Sequence, residues 1–442
     1  MRMILSDSLL SYYVCEHDHD EVLKDTMLLR FAMLFWMLLC LGVPVFSNEF
    51  YVTPSHPPNP ACPTDKPCQT LDEYAVYSDK YFGNESEVSL VFLNGVADYY
   101  LNTHDFTITE KVKFVMRTMY IFDTASICTT QQRGFLFNNV TSIRMTNILI
   151  TCEEELENTT CFQVIGGETL VGLNIALNSR ALLSGVRYIS LKESLFEENP
   201  LKIEMITTAF IKQREPVPTA PSISITGCTL HSISIRVQHL LNCSILLEDN
   251  TVPIGITMIG IGVSVFLKGS YVNLNVYDCD ISYYSDTGIS IRLDSDSFLQ
   301  AHLKSTNISH NLVGFEISAL GSNFSLVFDN CHLSNNGIGA VHVVTDGRSL
   351  STLHNNIIRT CSFQDRESQS ISSVSFTGST FTNNGVGLGL GTSTKGLIET
   401  IINNCTFLGN PGTAFKQTYG TLYLLDRTFS LTTLDIKVEL CH

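Results

Sequence analysis

The residues best suited to chemistry in this sequence are four aspartates in one acidic stretch, Asp278, Asp280, Asp294 and Asp296. Asp278 and Asp280 alternate on one side of a predicted strand, and the other two follow beside Arg292. Carboxylate oxygens suit calcium, so the four could converge on the ion that a lyase uses beside a basic residue. Aspartate also occurs in turns for backbone reasons. We therefore treat them as weak calcium candidates and predict no bound metal, no cofactor and no catalytic residue.

The histidines of the same region do not form a zinc motif. His302, His310, His332 and His342 are spread along the chain without the short, regular spacing of zinc ligands. We interpret them as structural residues.

The cysteines indicate an oxidising compartment. Of the fourteen, two fall in the first 47 residues, and the remaining even number permits full pairing in a secreted chain. Cys62 and Cys68 close a proline-rich loop, and Cys152 and Cys161 bracket an acidic one. We predict a disulfide in each pair, although Cys128 competes for either member of the second.

One motif recurs through the second half of the chain and contains four more cysteines. Its copies align on one apolar residue: Leu230, Ile281, Ile308, Leu333, Phe381 and Phe407. The steps are 51, 27, 25, 48 and 26 residues. Because the long steps are close to two short ones, the unit is about 25 residues, a period typical of stacked units. Two residues before the apolar position lie Cys228, Cys279, Cys331 and Cys405, which we interpret as a ladder of small buried residues rather than disulfides.

Each unit consists of short strands separated by polar corners. Apolar and polar residues alternate over residues 272–276 and 288–293, as in half-buried strands, and Asn-Gly corners tolerate positive φ. One such unit cannot bury its apolar face alone, whereas stacked units pair each strand with its counterpart about 4.8 Å away. We predict an all-β fold, a right-handed parallel β-helix, in which the solenoid has coils of about 25 residues. The alternative is an antiparallel sandwich or propeller.

Composition restricts the partners. The net charge is −16, from 43 acidic and 27 basic residues, which argues against nucleic acid and anionic membrane. Charged residues make up only 16 % of the chain, and serine, threonine and asparagine supply the polarity instead. This balance is typical of an extracellular β protein.

The N-terminus predicts entry into the secretory pathway. Residues 27–47 have a basic start, a short apolar core and small residues near Ser47, as in a cleaved signal peptide. The acidic residues 1–26 do not fit such a signal, and we interpret them as an extension of the gene model. The alternative for residues 27–47 is an uncleaved signal anchor. We predict a secreted, extracellular or cell-surface protein.

We expect residues 48–87 to form a proline-rich lead-in and an N-terminal cap, and residues 88–442 to form the β-helix. Thr70 and Glu73 have the spacing of a helix capping box. An open β-helix end exposes unpaired backbone and must be covered, which a short helix here would do.

Seven N-glycosylation sequons are present. We predict Asn84, Asn158 and Asn323 as glycan acceptors, the first two in loops. Asn242 and Asn404 lie in the repeated motif, and we expect their side chains to bond inward in a ladder.

The residues after the leader carry a family resemblance. Residues 50–54, followed by Cys62-Pro63 and by 67–75, resemble secreted proteins of sponges and other simple animals that have right-handed parallel β-helix domains. Those domains are similar to pectin-lyase-like folds and to polymorphic outer-membrane proteins of bacteria. The resemblance implies fold and compartment but no activity. Longer members add a membrane segment, so membrane attachment here would need the signal anchor or a C-terminal segment beyond His442.

The resemblance to pectin-lyase-like folds raises the question of catalysis. Hydrolases of this kind need paired carboxylates, and their Asn-Thr-Asp, Asp-Asp and Gly-His-Gly motifs do not occur here. We predict a non-enzymatic β-helix that binds a glycan or a protein ligand, in adhesion or recognition. The alternative is a polysaccharide lyase or hydrolase.

Overall fold

The computed structural model describes residues 49–54, 68–82, 85–93, 98–109, 112–120, 123–130, 134–152, 160–178, 180–196, 201–206, 220–252, 258–294, 296–320, 322–345, 371–386, 388–391, 397–410, 415–418, 421–424 and 436–438. All of these but Glu49 belong to the compact unit Phe50–His442. The predicted extension 1–26 and signal segment 27–47 lie outside the described residues. No helix within the described ranges is long and apolar enough to cross a membrane.

The strands of the described ranges form three sheets, of 19, 13 and 5 strands. Sheet 1 comprises β1 (Glu49–Val52), β2 (Cys68–Gln69), β3 (Glu87–Phe92), β4 (Asp98–Leu101), β6 (Lys113–Thr118), β7 (Ala125–Thr129), β9 (Ser142–Cys152), β11 (Thr169–Asn178), β13 (Tyr188–Lys192), β14 (Leu195–Phe196), β16 (Ser222–Thr226), β17 (Thr229–Leu230), β19 (Cys243–Glu248), β21 (Tyr271–Tyr277), β24 (Phe298–Lys304), β27 (Asn323–Asp329), β30 (Ile371–Thr377), β33 (Leu397–Asn403) and β36 (Thr421–Leu424).

The second and third sheets have simpler orders. Sheet 2 comprises β5 (Phe106–Ile108), β8 (Phe135–Asn138), β10 (Phe162–Ile165), β12 (Ala181–Ser184), β15 (Leu201–Ile206), β18 (Ile233–Gln238), β20 (Val263–Lys268), β23 (Thr287–Asp294), β26 (Val313–Leu320), β29 (Gly339–Thr345), β32 (Leu388–Gly391), β35 (Phe415–Thr418) and β37 (Ile436–Val438). Sheet 3 comprises β22 (Asp280–Ser282), β25 (Asn307–Ser309), β28 (His332–Ser334), β31 (Thr380–Thr382) and β34 (Thr406–Leu408).

The chain winds through the sheets in turn, which confirms the predicted parallel β-helix. One coil runs from β21 in sheet 1 through β22 in sheet 3 to β23 in sheet 2, and the next begins with β24. β21 pairs in parallel with β24, and β23 with β26. The inward side chains of these strands are apolar and form one continuous core. Alternation and the parallel pairing therefore put every second residue of each long strand on an outer face.

The apolar residue that defined the repeat lies in the core, as predicted. Ile281 pairs with Ile308 and Ile308 with Leu333, and the column continues through Phe381 to Phe407. All five side chains are buried, and the two phenylalanine rings stack 4.5 Å apart.

The prediction that both long sequence steps contain two coils was right for one step and wrong for the other. The step from Leu230 to Ile281 does contain two coils, because Thr229 bridges to Thr251 in between. The step from Leu333 to Phe381 is a single coil, since the two residues are direct neighbours in sheet 3. The additional residues follow Thr345, the end of β29, and lie outside the described ranges. The length of a step does not distinguish a coil that lacks the motif from a single coil with an insertion.

The predicted cysteine ladder is present, with other small residues between the cysteines. The ladder occupies the corner after each sheet 1 strand. The backbone N–H of the residue that follows each ladder residue donates to the backbone carbonyl of the ladder residue one coil earlier, as Asn307 does to Cys279. In coil order the ladder residues are Ser194, Cys228, Asn250, Cys279, Thr306, Cys331, Ser379 and Cys405, all buried. The four cysteines are free thiols. A residue with positive φ precedes each position, because the corner needs a left-handed turn.

A second ladder, of asparagines, follows sheet 3. The backbone N–H of Asn311 donates to Oδ1 of Asn336, that of Asn336 to Asn384, and that of Asn384 to Asn410. Their Nδ2 groups donate to carbonyls of the core column, as Asn336 does to Ile308. These buried amides fix the height of each coil relative to the next.

The N-terminal cap contains the predicted capping box. Helix α1 (Leu71–Val76) begins after Thr70, whose Oγ1 accepts from the Glu73 N–H, while the Glu73 carboxylate accepts from the Thr70 N–H. With α2 (Ser78–Phe82), it packs against β5, the end strand of sheet 2, where Phe82 lies 6.1 Å from Phe106. The boundaries 48–87 and 88–442 themselves stay predictions.

The two predicted disulfides differ in what the structure describes. Cys152 and Cys161 are bonded across the acidic loop. Cys128, the predicted competitor, is a free thiol whose Sγ accepts from the Thr151 hydroxyl. Cys68 is disulfide-bonded, and its predicted partner Cys62 lies outside the described residues.

Candidate functional site

The four aspartates of the weak calcium cluster are not assembled into a metal site. β21 ends at Tyr277, so Asp278 is a corner residue with a φ of 52° and does not share a strand with Asp280. Asp294 ends β23 in sheet 2, and Asp296 forms the next corner with a φ of 58°. In the described ranges, no three acidic, histidine or cysteine side chains could hold one metal ion. The alternating pattern did not show where the strand turned.

Asp280 has a local structural role. Its Oδ1 accepts hydrogen bonds from the Ser282 hydroxyl at 2.5 Å and from Asn307 Nδ2 at 2.9 Å, one coil on. The Ser282 and Ser309 hydroxyls lie 2.9 Å apart in the same sheet. Because Asn307 is engaged in this network, its sequon is a poor glycan acceptor.

The four histidines lie apart, three of them on different sheets and one at a corner, and their interpretation as structural residues stays a prediction. His302 in sheet 1 contacts Tyr277, and His310 stacks on Tyr283 at a corner. His332 lies in sheet 3 beside Thr380. Only His342 lies on the outer face of sheet 2, where it neighbours Glu316.

A groove of about 280 Å³ crosses the outer face of sheet 2. It extends over β18, β20, β23 and β26, so its long direction follows the solenoid axis and crosses four successive coils. Two outward positions of each strand supply most of its lining: Ser234, Arg236, Ser264, Phe266, Ser290, Arg292, Glu316 and Ser318. Hydroxyls form one side of the groove, and guanidinium groups and a ring form the other.

The cationic side of the groove is an arginine–aromatic column. Phe266 is in register with Arg236 on one neighbouring coil and with Arg292 on the other. The guanidinium carbons lie 5.4 Å and 5.9 Å from the ring centroid. Such cation–π contacts hold exposed arginines in place and leave N–H donors for a ligand. The column is therefore a preorganised site with two positive charges.

The far end of the groove contains a buried acid. Glu316 is in register with Ser290 and with His342, and only 6 % of it is exposed although its position faces outward. Burial raises its pKa to about 7, and the negative charge of Asp286 adds to the shift. Burial lowers the pKa of His342, which favours the neutral imidazole. Near neutral pH, part of the Glu316 population is therefore the neutral carboxylic acid, which can donate a hydrogen bond.

Of the residues that line the groove, the sequence predicted a functional role only for Arg292, as the basic residue beside the aspartate cluster. A signal was present: the triplets Ser234-Ile235-Arg236, Ser264-Val265-Phe266 and Ser290-Ile291-Arg292 repeat the same outward pair. Their alternation identified strands, but it did not show that the three strands were direct neighbours. The register of the coils was needed to assemble them.

The predicted glycan acceptors are described only in part. Asn323 is exposed at the start of β27, whereas Asn84 and Asn158 lie outside the described residues. Asn242 and Asn404 are exposed corner residues with positive φ, and the inward bonding expected of their side chains stays a prediction. They supply the left-handed turn, and the residue after Asn404, Cys405, is the one that enters a ladder.

Comparison with known families supports the fold. Residues 262–429 match the family model described as the right handed beta helix region. The matched residues include most of the groove and those members of the two ladders that follow Gly262. Its stated hand agrees with the right-handed crossover expected for parallel strands. The fold is a right-handed parallel β-helix. The narrower resemblance to sponge proteins stays a prediction.

Two solved structures are similar at low identity, and no curated protein matches the sequence. The catalytic unit of a thermostable GH87 α-1,3-glucanase from Streptomyces thermodiastaticus strain HF3-3 has 9 % identity and a TM-score of 0.34, covering 75 % of this chain and 65 % of that one. This chain thus spans slightly less than two thirds of the glucanase unit. The periplasmic alginate epimerase AlgG has 10 % identity and a TM-score of 0.31, covering 80 % and 83 %. Scores this low say nothing about what this chain binds.

Proposed function

We propose that this protein is an extracellular or cell-surface β-helix that binds an anionic glycan in the groove of sheet 2. The observation that carries the proposal is the column Arg236–Phe266–Arg292, which presents two guanidinium groups and a ring beside a row of serine hydroxyls. Guanidinium groups bind carboxylates by paired, charge-assisted hydrogen bonds. An aromatic face and hydroxyl groups supply the other two contacts that a sugar ring needs, apolar packing and hydrogen bonding.

A linear polymer fits this groove better than a folded protein does. The groove crosses four successive coils along the axis of a solenoid, whose repeats create extended binding surfaces. The net charge of −16 repels anions at long range, so affinity must come from the direct contacts with the two arginines. A protein ligand with acidic side chains remains an outcome that a binding screen would identify.

The alternative function is cleavage of a polysaccharide as a lyase or hydrolase. Glu316 beside His342 favours it, because carboxyl and imidazole groups with shifted pKa values are common in active sites. Hydrolysis, however, needs two carboxyl groups on opposite sides of one glycosidic bond. The described lining of the groove supplies one, Glu316. We therefore propose binding without catalysis.

The test is a glycan-binding screen with variants of the column. We expect the purified protein to bind acidic glycans, and Arg236→Ala and Arg292→Ala each to weaken binding about tenfold, the effect of one lost charge-assisted bond. Lys268→Ala is the matched control, because it removes an exposed cation of the same sheet from outside the groove lining. Equal losses in the control and the column variants would contradict the site. Unsaturated or shortened products from the wild-type protein would establish the enzymatic alternative.

A further inference from the structure

The spacing of the charges in the groove specifies the kind of acidic glycan. Arg236 and Arg292 are not on adjacent coils, because Phe266 occupies the register position between them. Coils stack at about 4.8 Å, so the two guanidinium groups are held roughly 10 Å apart along the groove. Each is fixed against the same ring, at 5.4 Å and 5.9 Å. The spacing is thus set by the fold and by the shared ring.

An acidic side chain limits the cationic column at one end, and an uncharged one follows it at the other. Glu204 is in register with Arg236 on the side away from Phe266, and its carboxylate pairs with Lys202 at 2.9 Å. At the other end, Ser318 is in register with Arg292, and Glu316 lies in the neighbouring outward column, in register with Ser290. Anionic groups of a ligand are therefore favoured at the two arginines, are repelled by Glu204 beyond Arg236 and meet no cation at Ser318 beyond Arg292. The groove accommodates two charges, two coils apart.

A pyranose residue in a linear chain is about as long as one coil is high. A glycan that lies along the groove would therefore place successive sugars on successive coils. The sugar over Phe266 meets an apolar ring in place of a cation, and packing a charged carboxylate against that ring would leave it without a partner. An uncharged sugar can place its C–H face on the ring at no such cost.

We infer that the groove selects a polysaccharide in which acidic and uncharged residues alternate, in preference to one with a carboxylate on every residue. The inference rests on the proposed function, since it names the ligand class of the same groove. The position that carries the discrimination is Phe266, which acts as a specificity residue between two anion-binding arginines. Electrostatic matching of this kind decides specificity through contacts against the wrong ligand as well as for the right one.

The experiment compares oligosaccharides of equal length by titration calorimetry. Unsulfated chondroitin represents the alternating class, and oligogalacturonate carries an acid on every residue. We expect chondroitin to bind about tenfold more tightly, the difference expected for one unpaired charge. Equal or tighter binding of oligogalacturonate would overturn the inference and leave the proposed function intact. Absence of binding to both, with the fold intact by circular dichroism, would overturn both.

A specificity switch provides the second arm. Phe266→Arg places a cation on every coil of the column, so it should shift the preference toward oligogalacturonate by about tenfold or more. Phe266→Tyr, which keeps a ring, should retain the wild-type preference. Phe266 is an outward residue, so both variants should fold, and the melting temperature checks this. An unchanged preference in the arginine variant would contradict the assigned role of Phe266.

Discussion

The coils before and after β13 follow the same backbone path but differ in how their cores and corners are filled. From β3 to β10 the core is filled with aromatic rings, in which Phe106, Phe114, Phe135 and Phe137 contact one another at 5.1–6.5 Å. From β13 onward, small polar side chains form ladders at the corners, and the core is mainly aliphatic. Rings fill volume in many arrangements, whereas each ladder hydrogen bond has one correct partner.

This difference shows where specificity of stacking comes from. In the later coils, a shift of one coil or one residue would leave buried amides and carbonyls unpaired, so the ladders oppose it strongly. In the aromatic coils, the opposition comes mainly from ring volume and from the cap, with one amide contact in which Asn174 Nδ2 donates to the buried Asn147 Oδ1. The family model matches residues 262–429, which lie within the later region.

The largest effect that would test this comparison is a charge in the core column. Leu333→Asp buries a carboxylate between Ile308 and Phe381, at a cost of more than about 5 kcal/mol. We expect it to abolish hydrogen-exchange protection in the later coils and to spare β3–β10, since solenoid coils depend on their neighbours. Asn335→Asp, an exposed left-handed residue of the same coil, is the control and should keep protection. Loss of protection throughout the chain would show that the two regions unfold as one.

The reciprocal change is in the aromatic region. Phe137→Ala removes a ring that contacts Phe106, Phe114 and Phe162, and we expect a local destabilisation of about 3–5 kcal/mol. Exchange should accelerate in β5–β10, while the groove strands keep their protection. The control is the half-buried, outward neighbour Leu136→Ala, which should have a much smaller effect. Equal effects of the two variants would contradict the core packing described for these coils.

The pH dependence should distinguish the two regions as well. The pKa of Glu316 is raised from 4.5 to about 7, so the folded chain holds this proton more tightly than the unfolded chain does. Its contribution to stability is complete below pH 4.5 and is lost as pH rises through about 7, by up to about 3 kcal/mol. The lowered pKa of His342 acts oppositely, reducing stability as pH falls below its ordinary value.

Glu316→Gln isolates the carboxyl contribution. The difference in melting temperature between wild type and this variant should change between pH 4.5 and 7.5 in favour of the variant at high pH, with exchange changes confined to the later coils. Anion binding by the wild type should also strengthen as pH falls through 7, and the variant should lack that dependence. A pH profile identical in both proteins would contradict the buried position of Glu316.

The smallest expected effect is the loss of one ladder amide. Asn336→Ala removes the donor to the Ile308 carbonyl and the acceptor for the Asn311 N–H, at a cost of about 1–3 kcal/mol. Asn335→Gly tests the neighbouring position, where only a left-handed φ of 54° is required, and should be nearly neutral. The measurement is hydrogen exchange of the Asn311 and Asn336 amides. Similar exchange in the two variants would show that the ladder does not fix the register.

The sequence contained enough to predict the fold, the core column, the capping box and the cysteine ladder. These depend on local spacing, which alternation and repeat length reveal directly. The groove could not be predicted, because it needs the pairing of β18 with β20 and of β20 with β23, across a step of irregular length. The prediction that Asp278 and Asp280 share a strand was wrong for a related reason, because a sequence alternation does not show where a strand ends and a corner begins. Which strands become neighbours on successive coils is decided by the folded chain and cannot be derived from the spacing of residues along the sequence.

The alternation in the corner ladder has a consequence for redox chemistry. Between Cys228, Cys279, Cys331 and Cys405, each intervening coil contributes Asn250, Thr306 or Ser379, so the thiols are two coils or roughly 10 Å apart. A disulfide needs Cα atoms within about 7 Å, which adjacent coils would provide and alternate coils do not. Burial also raises the pKa of each thiol, to about 11 for Cys279 and Cys331, so the reactive thiolate is scarce. A solenoid built this way can carry a column of unpaired sulfhydryls through an oxidising compartment without cross-linking its own rungs.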